Sequence, residues 1–481
     1  MNRSFLFGLL LLGMTTSCQQ DENMTEGLQS NPGFEVSATL SDSSDSRTQL
    51  SSDYKTVWSE GDAFSVFNDG DHYQYAIKSG AGQTSAEFKW VPSETISGGI
   101  EGSISSEMFF AVYPYATTTT ISKNGVDYVI NTVIPTTQAF VDGSFATNAA
   151  PMIGVNNRAK FSMKNVASVL RMELDGDVII TKATLESKSH NIAGNVWAAV
   201  NEQGGYIPVV TSANANKITM NCNVQLTNEP TAFCFVLVPG TYEGGDLTVT
   251  FYDSFGNYFV RNISKENTFV RSDVKKFGTK TFEITGVGTG SDAANAALAS
   301  GKTDVEVNLE GEEGEEGENG EKQIVIQLPA TEEESTTLSF ENIPDLPVII
   351  EASIDANGEE AENVNLNVAD ETVSNILIID LPNSSVNLDT KGQTTFEEVH
   401  TTTAANTLVV ESGVTIKKLV IKGGNVRVKN GAKIETIEAV EGGIFYLFVE
   451  NGAIVPATMP KNVVVVKNGS NIGDWETDGE F

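Results

Sequence analysis

Three cysteines and three histidines are spread through 481 residues, and their placement limits the chemistry on offer. His72, His190 and His400 are far apart and share no ligand spacing, so neither a zinc site nor a histidine acid–base site is indicated. Cys222 and Cys234 flank the turn "TNEP" at 227–230. A hairpin centred near residue 228 would set them opposite each other for a cross-strand disulfide. In another register they remain two reduced, half-buried thiols. Cys18 stands alone, directly after an apolar stretch and before "QQDEN". A thiol so placed has no redox or metal partner, and its meaning lies in what precedes it.

Residues 1–17 read "MNRSFLFGLLLLGMTTS". Arg3 supplies a positive start, and Phe5 to Met14 give an apolar run of ten residues. That is too short to span ~30 Å of hydrocarbon as a helix, and it fits a secretory signal peptide. The cleavage point falls between Ser17 and Cys18. The arrangement resembles a bacterial lipoprotein lipobox, with Thr15 where an aliphatic residue usually stands. The resemblance implies cleavage before Cys18 and acylation of it. Acyl chains contribute ~0.8 kcal/mol per buried CH₂, enough in combination for a stable anchor. The polar stretch "QQDENMTEGLQSNPG" then reads as a tether, and its first residues resemble an export signal to the outer face of the outer membrane.

The balance of 30 Lys+Arg against 64 Asp+Glu gives a net charge of −34. Such a field repels nucleic acid and suits a solvated extracellular protein. Two charged stretches invite a sharper reading. "EGEEGEEGENGE" at 310–321 holds seven glutamates, but lacks the spaced Asp/Asn and bidentate Glu of a calcium loop, and reads as a solvated, flexible loop. Lys417, Lys418, Lys422, Arg427, Lys429 and Lys433 form a basic patch of the kind a polysaccharide lyase would need. No acid–base pair accompanies them, and turn lysines more often aid solubility. No cofactor, metal or enzymatic activity is expected.

The elements that must carry these residues are strands. "FEVSATL" (34–40), "KTVWSEGDAFSVF" (55–67), "YQYAIK" (73–78), "MFFAVYPY" (108–115) and "DYVINTVIP" (127–135) alternate or run apolar between Gly, Asn, Asp, Ser and Pro. A second set runs from "AKFSMKNVASVLRMELDG" (159–176) to "NYFVRNI" (257–263). Two β-sandwiches in series fit this length.

Here the chain resembles the fimbrillin-like proteins of Bacteroidales. "SRTQLSSDYKTVWSEGDAFSVF" (46–67), "FFAVYPY" (109–115), "VIPTTQ" (133–138), "FSMKNVASVLRMEL" (161–174), "NIAGNV" (191–196) and "VLVPGTY" (236–242) match the family in order, over about 34–285. The resemblance implies two tandem transthyretin-like β-sandwich domains of a fimbrial subunit or adhesin. It also implies a processing site: family stalk subunits are cut after an arginine, lose their first strand, and accept a strand from the next subunit. The matching position is Arg47, before Thr48, and the lost strand would be "FEVSATL". The alternative is an uncut Arg47 at the surface.

Beyond "GVGTGSDAANAALASGKTD" (286–304), a Gly-rich linker with one short helix, the pattern changes. "VVESGVTI", "RVKNGAKI", "FVENGAIV" and "VVVKNGSNI" align on Gly413, Gly431, Gly452 and Gly469, at spacings of 18, 21 and 17. Strand–turn–strand units of this period stack into a β-solenoid, and the short helix at 291–299 would cap its first rung.

The expected chain is therefore all-β: signal peptide 1–17, lipid-anchored tether 18–33, β-sandwiches 34–157 and 158–285, linker, cap helix and acidic loop 286–322, and β-solenoid 323–481. The expected role is a surface lipoprotein of the outer membrane, a tip, anchor or accessory fimbrial subunit or adhesin. Its expected partners are the membrane lipid, other fimbrial subunits, and a host or bacterial surface protein or glycan. The competing expectation is a non-polymerising lipoprotein that binds or degrades glycan. The closing "NIGDWETDGEF", after a whole extra domain, argues against a polymerising stalk subunit.

Overall fold

The computed structural model describes residues 32–40, 57–92, 100–101, 107–203, 205–317, 320–329, 335–353, 363–369, 372–402 and 406–467. The protein is all-β, with one helix, Ser291–Ala299, among the described residues.

The first body closes on itself. Seven strands form a barrel in the order Val36–Leu40, Lys160–Asn165, Met152–Asn156, Phe109–Tyr113, Ala63–Asn68, Asp71–Ser79 and Ser85–Val91. Its interior holds Trp58, Phe64, Tyr75, Phe88, Tyr113 and Phe161. Two of the sequence motifs meet there. Tyr113 donates its hydroxyl to Asp62 at 2.9 Å, and Asp62 also accepts the N–H of Ser59 at 2.6 Å. The "EGD" turn and the "VYPY" strand are thus held together by one buried carboxylate.

The barrel wall is apolar on both faces where it meets the second body. Phe64 and Val66 point inward, whereas Phe67, Phe110, Val112 and Ile153 join the core built by residues 166–274. A strand buried on both faces reads as a continuous apolar run, which is why "FFAVY" shows no alternation. Strand pairing also crosses the expected division at 157/158. Asp127–Ile134 pairs antiparallel with Ala193–Asn201 along its length, and Thr137–Ala139 pairs parallel with Thr219–Asn221. Conversely, Lys160–Asn165 belongs to the barrel. Gln138 fastens the exchange: its buried amide donates to the Val236 carbonyl at 2.8 Å and accepts the Val236 N–H at 3.0 Å, as a neighbouring peptide group would.

His72 is buried with its ring stacked on Phe67 at 4.1 Å. Burial pulls its pKa down to about 4. The unfolded chain binds a proton at His72 near pH 6.5 and the folded chain does not, so stability falls as pH drops from 6.5 towards 4. The full loss is on the order of 3 kcal/mol at 1.36 kcal/mol per unit. Urea unfolding at pH 7, 5.5 and 4.5 should show His72→Phe losing less stability across that window than the unsubstituted chain.

The C-terminal third is a two-sheet parallel solenoid. From Lys322–Leu328 to Phe445–Val449, successive strands alternate between an eight-stranded and a seven-stranded sheet. In the first, Val305, Leu338, Leu366, Leu388, Val410, Val428 and Val449 stand in register as one buried ladder. In the second, Val348, Leu377, Val399, Leu419 and Ile437 do the same. Three of the four aligned corner glycines stack: Gly413 N–H donates to Gly431 O, and Gly431 N–H to Gly452 O, both at 3.4 Å, while Gly469 lies outside the described residues. The φ values of the three, 88°, 84° and 91°, lie in the left-handed region that glycine enters freely.

The helix caps the first rung. Ala294, Ala297 and Leu298 pack into the solenoid core. Asn295 completes the open edge of Lys322–Leu328, donating to Val325 O at 3.0 Å and accepting Gln327 N–H at 2.9 Å. The segments on either side of the helix are more firmly fixed than a flexible linker and a solvated loop. Asn257 accepts the Gly288 N–H and donates to Ala293 O. Glu312, from the acidic run, accepts the Ser291 N–H at 2.9 Å, at the positive end of the helix.

Candidate functional site

The feature with the clearest functional geometry is the strand Val36–Leu40. It runs antiparallel to Ser85–Phe88 on one side and parallel to Lys160–Met163 on the other, and so closes the barrel. Val36 and Ala38 are buried, while Thr39 faces outward. In register, Val36 lies beside Phe88, and Ala38 lies between Ala86 and Phe161. Phe34, just before the strand, stacks on Tyr75 at 5.7 Å and meets Phe109 edge-on at 5.1 Å. The Tyr75 hydroxyl donates to the Phe34 carbonyl at 3.2 Å. Main-chain bonds on both edges and alternate apolar side chains in shallow pockets are the features by which one β-strand can substitute for another. Without this strand, both flanking edges and the faces of Phe88 and Phe161 would be open to water.

Ser17, Cys18, Arg47 and Thr48 lie outside the described residues. Arg47 follows shortly after Leu40, where the chain leaves this strand.

The cysteine hairpin is not formed. Lys217–Gln225, with Cys222, pairs with Ile179–Ser187, whereas Thr231–Leu237, with Cys234, pairs with Ser168–Asp175 in another sheet. Between them the chain crosses sheets, with Leu226 N–H bonded to Val178 O and Gly176 N–H to Thr227 O. Both cysteines carry thiols. Burial pushes the Cys222 thiol up to about 12, so it is a poor nucleophile.

Two histidines find carboxylates: His400 Nε2 meets Glu398 two residues away on its own strand, at 2.5 Å, and His190 meets Asp246 without any local signal in the sequence. His190 Nδ1 lies 3.0 Å from Asp246, which also accepts the hydroxyls of Ser187 at 2.8 Å and Ser189. Burial opposes ionisation of Asp246, but the bonds from Ser189, Ser187 and His190 outweigh it and hold the carboxyl at about 2. A hydrolytic triad needs the carboxylate and the hydroxyl on opposite ring nitrogens. Here Ser189 Oγ also meets Nδ1, at 3.3 Å, so the cluster fastens the 187–190 turn.

The basic patch is largely neutralised by the rungs beside it. Lys418 bridges Glu398 at 3.3 Å and Glu438 at 3.1 Å. Lys417 pairs with Glu397, Lys433 with Glu435, and Lys429 with Glu450. All but Lys433–Glu435, which lies within one strand, run along the stack, and together they leave little net positive potential for an anionic polymer. A cleft of about 850 Å³ opens between Phe255 and Phe282 of the second body and Asn295 and Ala299 of the helix. Asp253 at its edge accepts the N–H groups of Phe255 and Asn257 and serves the turn there. Among the described residues, no group of three or more His, Cys, Asp or Glu could hold a metal ion.

No family model matches the chain, and no curated protein matches it. Solved structures do. A candidate cell adhesion protein from Bacteroides ovatus is 13% identical with a TM-score of 0.32, covering 52% of this chain and 91% of that one. A second, from Bacteroides uniformis, is 16% identical with a TM-score of 0.31, covering 52% and 93%. A fimbrial protein from Bacteroides ovatus is 10% identical with a TM-score of 0.20, covering 54% of this chain and 52% of that chain.

Proposed function

We propose that this chain is a surface adhesin of fimbrillin-like kind, tied to the outer membrane through an acylated Cys18 and acting as a tip, anchor or accessory fimbrial subunit. The observation that carries this reading is the barrel-closing strand Val36–Leu40. It is the first described strand, it lies between the leader and Arg47, and it is held by main-chain pairing on both edges. A cut after Arg47 would release the lipid, the tether and this strand together. The groove between Ser85–Val91 and Lys160–Asn165 would then accept an extended strand from another subunit, with small side chains favoured at the sites of Val36 and Ala38. Uncut, the same strand completes the barrel and leaves the adhesin fixed to the membrane.

Mass spectrometry of the mature protein from the cell surface tests this. A triacylated Cys18 terminus is expected for the tethered form and a Thr48 terminus for the processed form. The processed form should co-sediment with sheared fimbriae. If every molecule begins at acylated Cys18, strand exchange is discarded and a non-polymerising adhesin remains. A terminus at neither residue would sink the reading as a whole.

A further inference from the structure

The outward side of the eight-stranded sheet changes character along the solenoid. Register places Asn365, Asn387, Val409, Arg427 and Phe448 in one row across successive rungs, Val409 being its buried member. The early part of the row is a pinned amide ladder: Asn387 Nδ2 donates to Asn365 Oδ1 at 2.8 Å, and Asn365 Nδ2 to Thr337 Oγ1 at 3.4 Å. The late part is aromatic. Tyr446 and Phe448 project from one strand with ring centroids 6.3 Å apart and planes within 23°. Tyr446 is 44% exposed. Arg427 lies between the amides and the rings.

We propose that this strip, from Asn387 to Tyr446, binds polysaccharide. The inference rests on the adhesin reading and supplies its ligand class. A pyranose ring offers an apolar C–H face to a flat aromatic and a rim of hydroxyls to amides and a guanidinium, and this face presents those groups side by side. The rungs stand ~4.8 Å apart, so the strip extends over roughly 15 Å, enough for an oligosaccharide and more than one sugar needs. The net charge of −34 sets a second copy of the chain, or an anionic membrane, against itself at long range. Lys429, in the same rung as Arg427, is paired with Glu450 at 3.4 Å and adds no net positive charge beside the strip, and the net charge of −34 disfavours an anionic glycan.

Affinity electrophoresis of the full chain in native gels containing a neutral β-glucan, a mannan or polygalacturonate tests the proposal. Retardation is expected in at least one neutral polymer. Tyr446→Ala should weaken it by about tenfold, as loss of a stacking contact of about 1.4 kcal/mol implies. Tyr446 is exposed, so this variant should keep the melting profile of the parent. Arg427→Gln provides a second, independent loss. Absence of retardation in all three gels, or retardation that neither variant changes, would overturn the strip. So would self-association in sedimentation velocity that Tyr446→Ala abolishes, which would assign the face to a second copy. None of these outcomes depends on the terminus at Cys18 or Thr48, so the strip and the tether can fail separately.

Discussion

Trp58→Ala should lower the stability of the barrel by about 3–5 kcal/mol, the range for emptying a buried aromatic site. Trp58 is fully buried, with the rings of Phe88 at 4.9 Å, Tyr113 at 5.9 Å and Phe64 at 6.2 Å. Its main-chain bonds to Gln83 and Gly82 survive the substitution, so the loss reports the side chain. The loss also reaches the polar centre. Trp58 packs against Tyr113, whose hydroxyl engages Asp62, and burial already raises the Asp62 pKa. With the indole gone, water can approach a carboxylate that the aromatic shell keeps dry. Trp58→Phe, which refills part of the site, should cost about half as much. Calorimetry of the full chain would read both, and a loss below about 1 kcal/mol for Trp58→Ala would mean that the barrel core is not organised around this ring.

Leu388→Asp should be at least as damaging to the solenoid, costing more than about 4 kcal/mol, because it removes a packed side chain and buries a carboxylate without a partner. Leu388 is fully buried between Leu366 and Val410 of the adjoining rungs. Stacked repeats depend on their nearest neighbours, so a break at one rung uncouples the stack on both sides. Limited proteolysis should then cleave within the solenoid first while the barrel and second body resist. Ser385→Asp, three residues earlier on the same strand and facing outward, is the control and should shift the melting temperature little. Equal damage from both would mean that the strand parity is wrong.

Much of the solenoid was legible because its determinants are local and periodic. The glycines at 413, 431 and 452 sit at corners that need a left-handed backbone, and the alternation of "NVNLNV" marks one inward face. The helix at 291–299 showed in a run of alanines before the first rung, although its cap from Glu312 did not. The family motifs pointed to strands correctly, yet gave no sign that Asp62 and Tyr113 share a hydrogen bond or that Gln138 clasps Val236. Those contacts join residues distant in sequence, and no pattern of polarity encodes them. The cysteine hairpin failed for a related reason: a short turn between two strands looks the same whether the strands pair or part to different sheets. The lysines read correctly as surface residues, but their ion pairs were not legible beside their sequence neighbours. In a parallel stack the partner lies one rung away, as Glu397 does from Lys417 and Glu398 from Lys418. A rung length of about 20 residues, once recognised, would have located these pairs.

The same rung geometry has a consequence for how such a protein could change over generations. Each turn of the stack pairs with the turns before and after it, and the capping helix lies on the first rung and is bonded also to Asn257 of the second body. A duplication or loss of one glycine-to-glycine unit would therefore leave the barrel, the second body and the cap untouched. Each added unit would move whatever the far rungs present by ~4.8 Å. The C-terminal third behaves as an adjustable spacer, and its reach can be tuned in steps without redesigning either end.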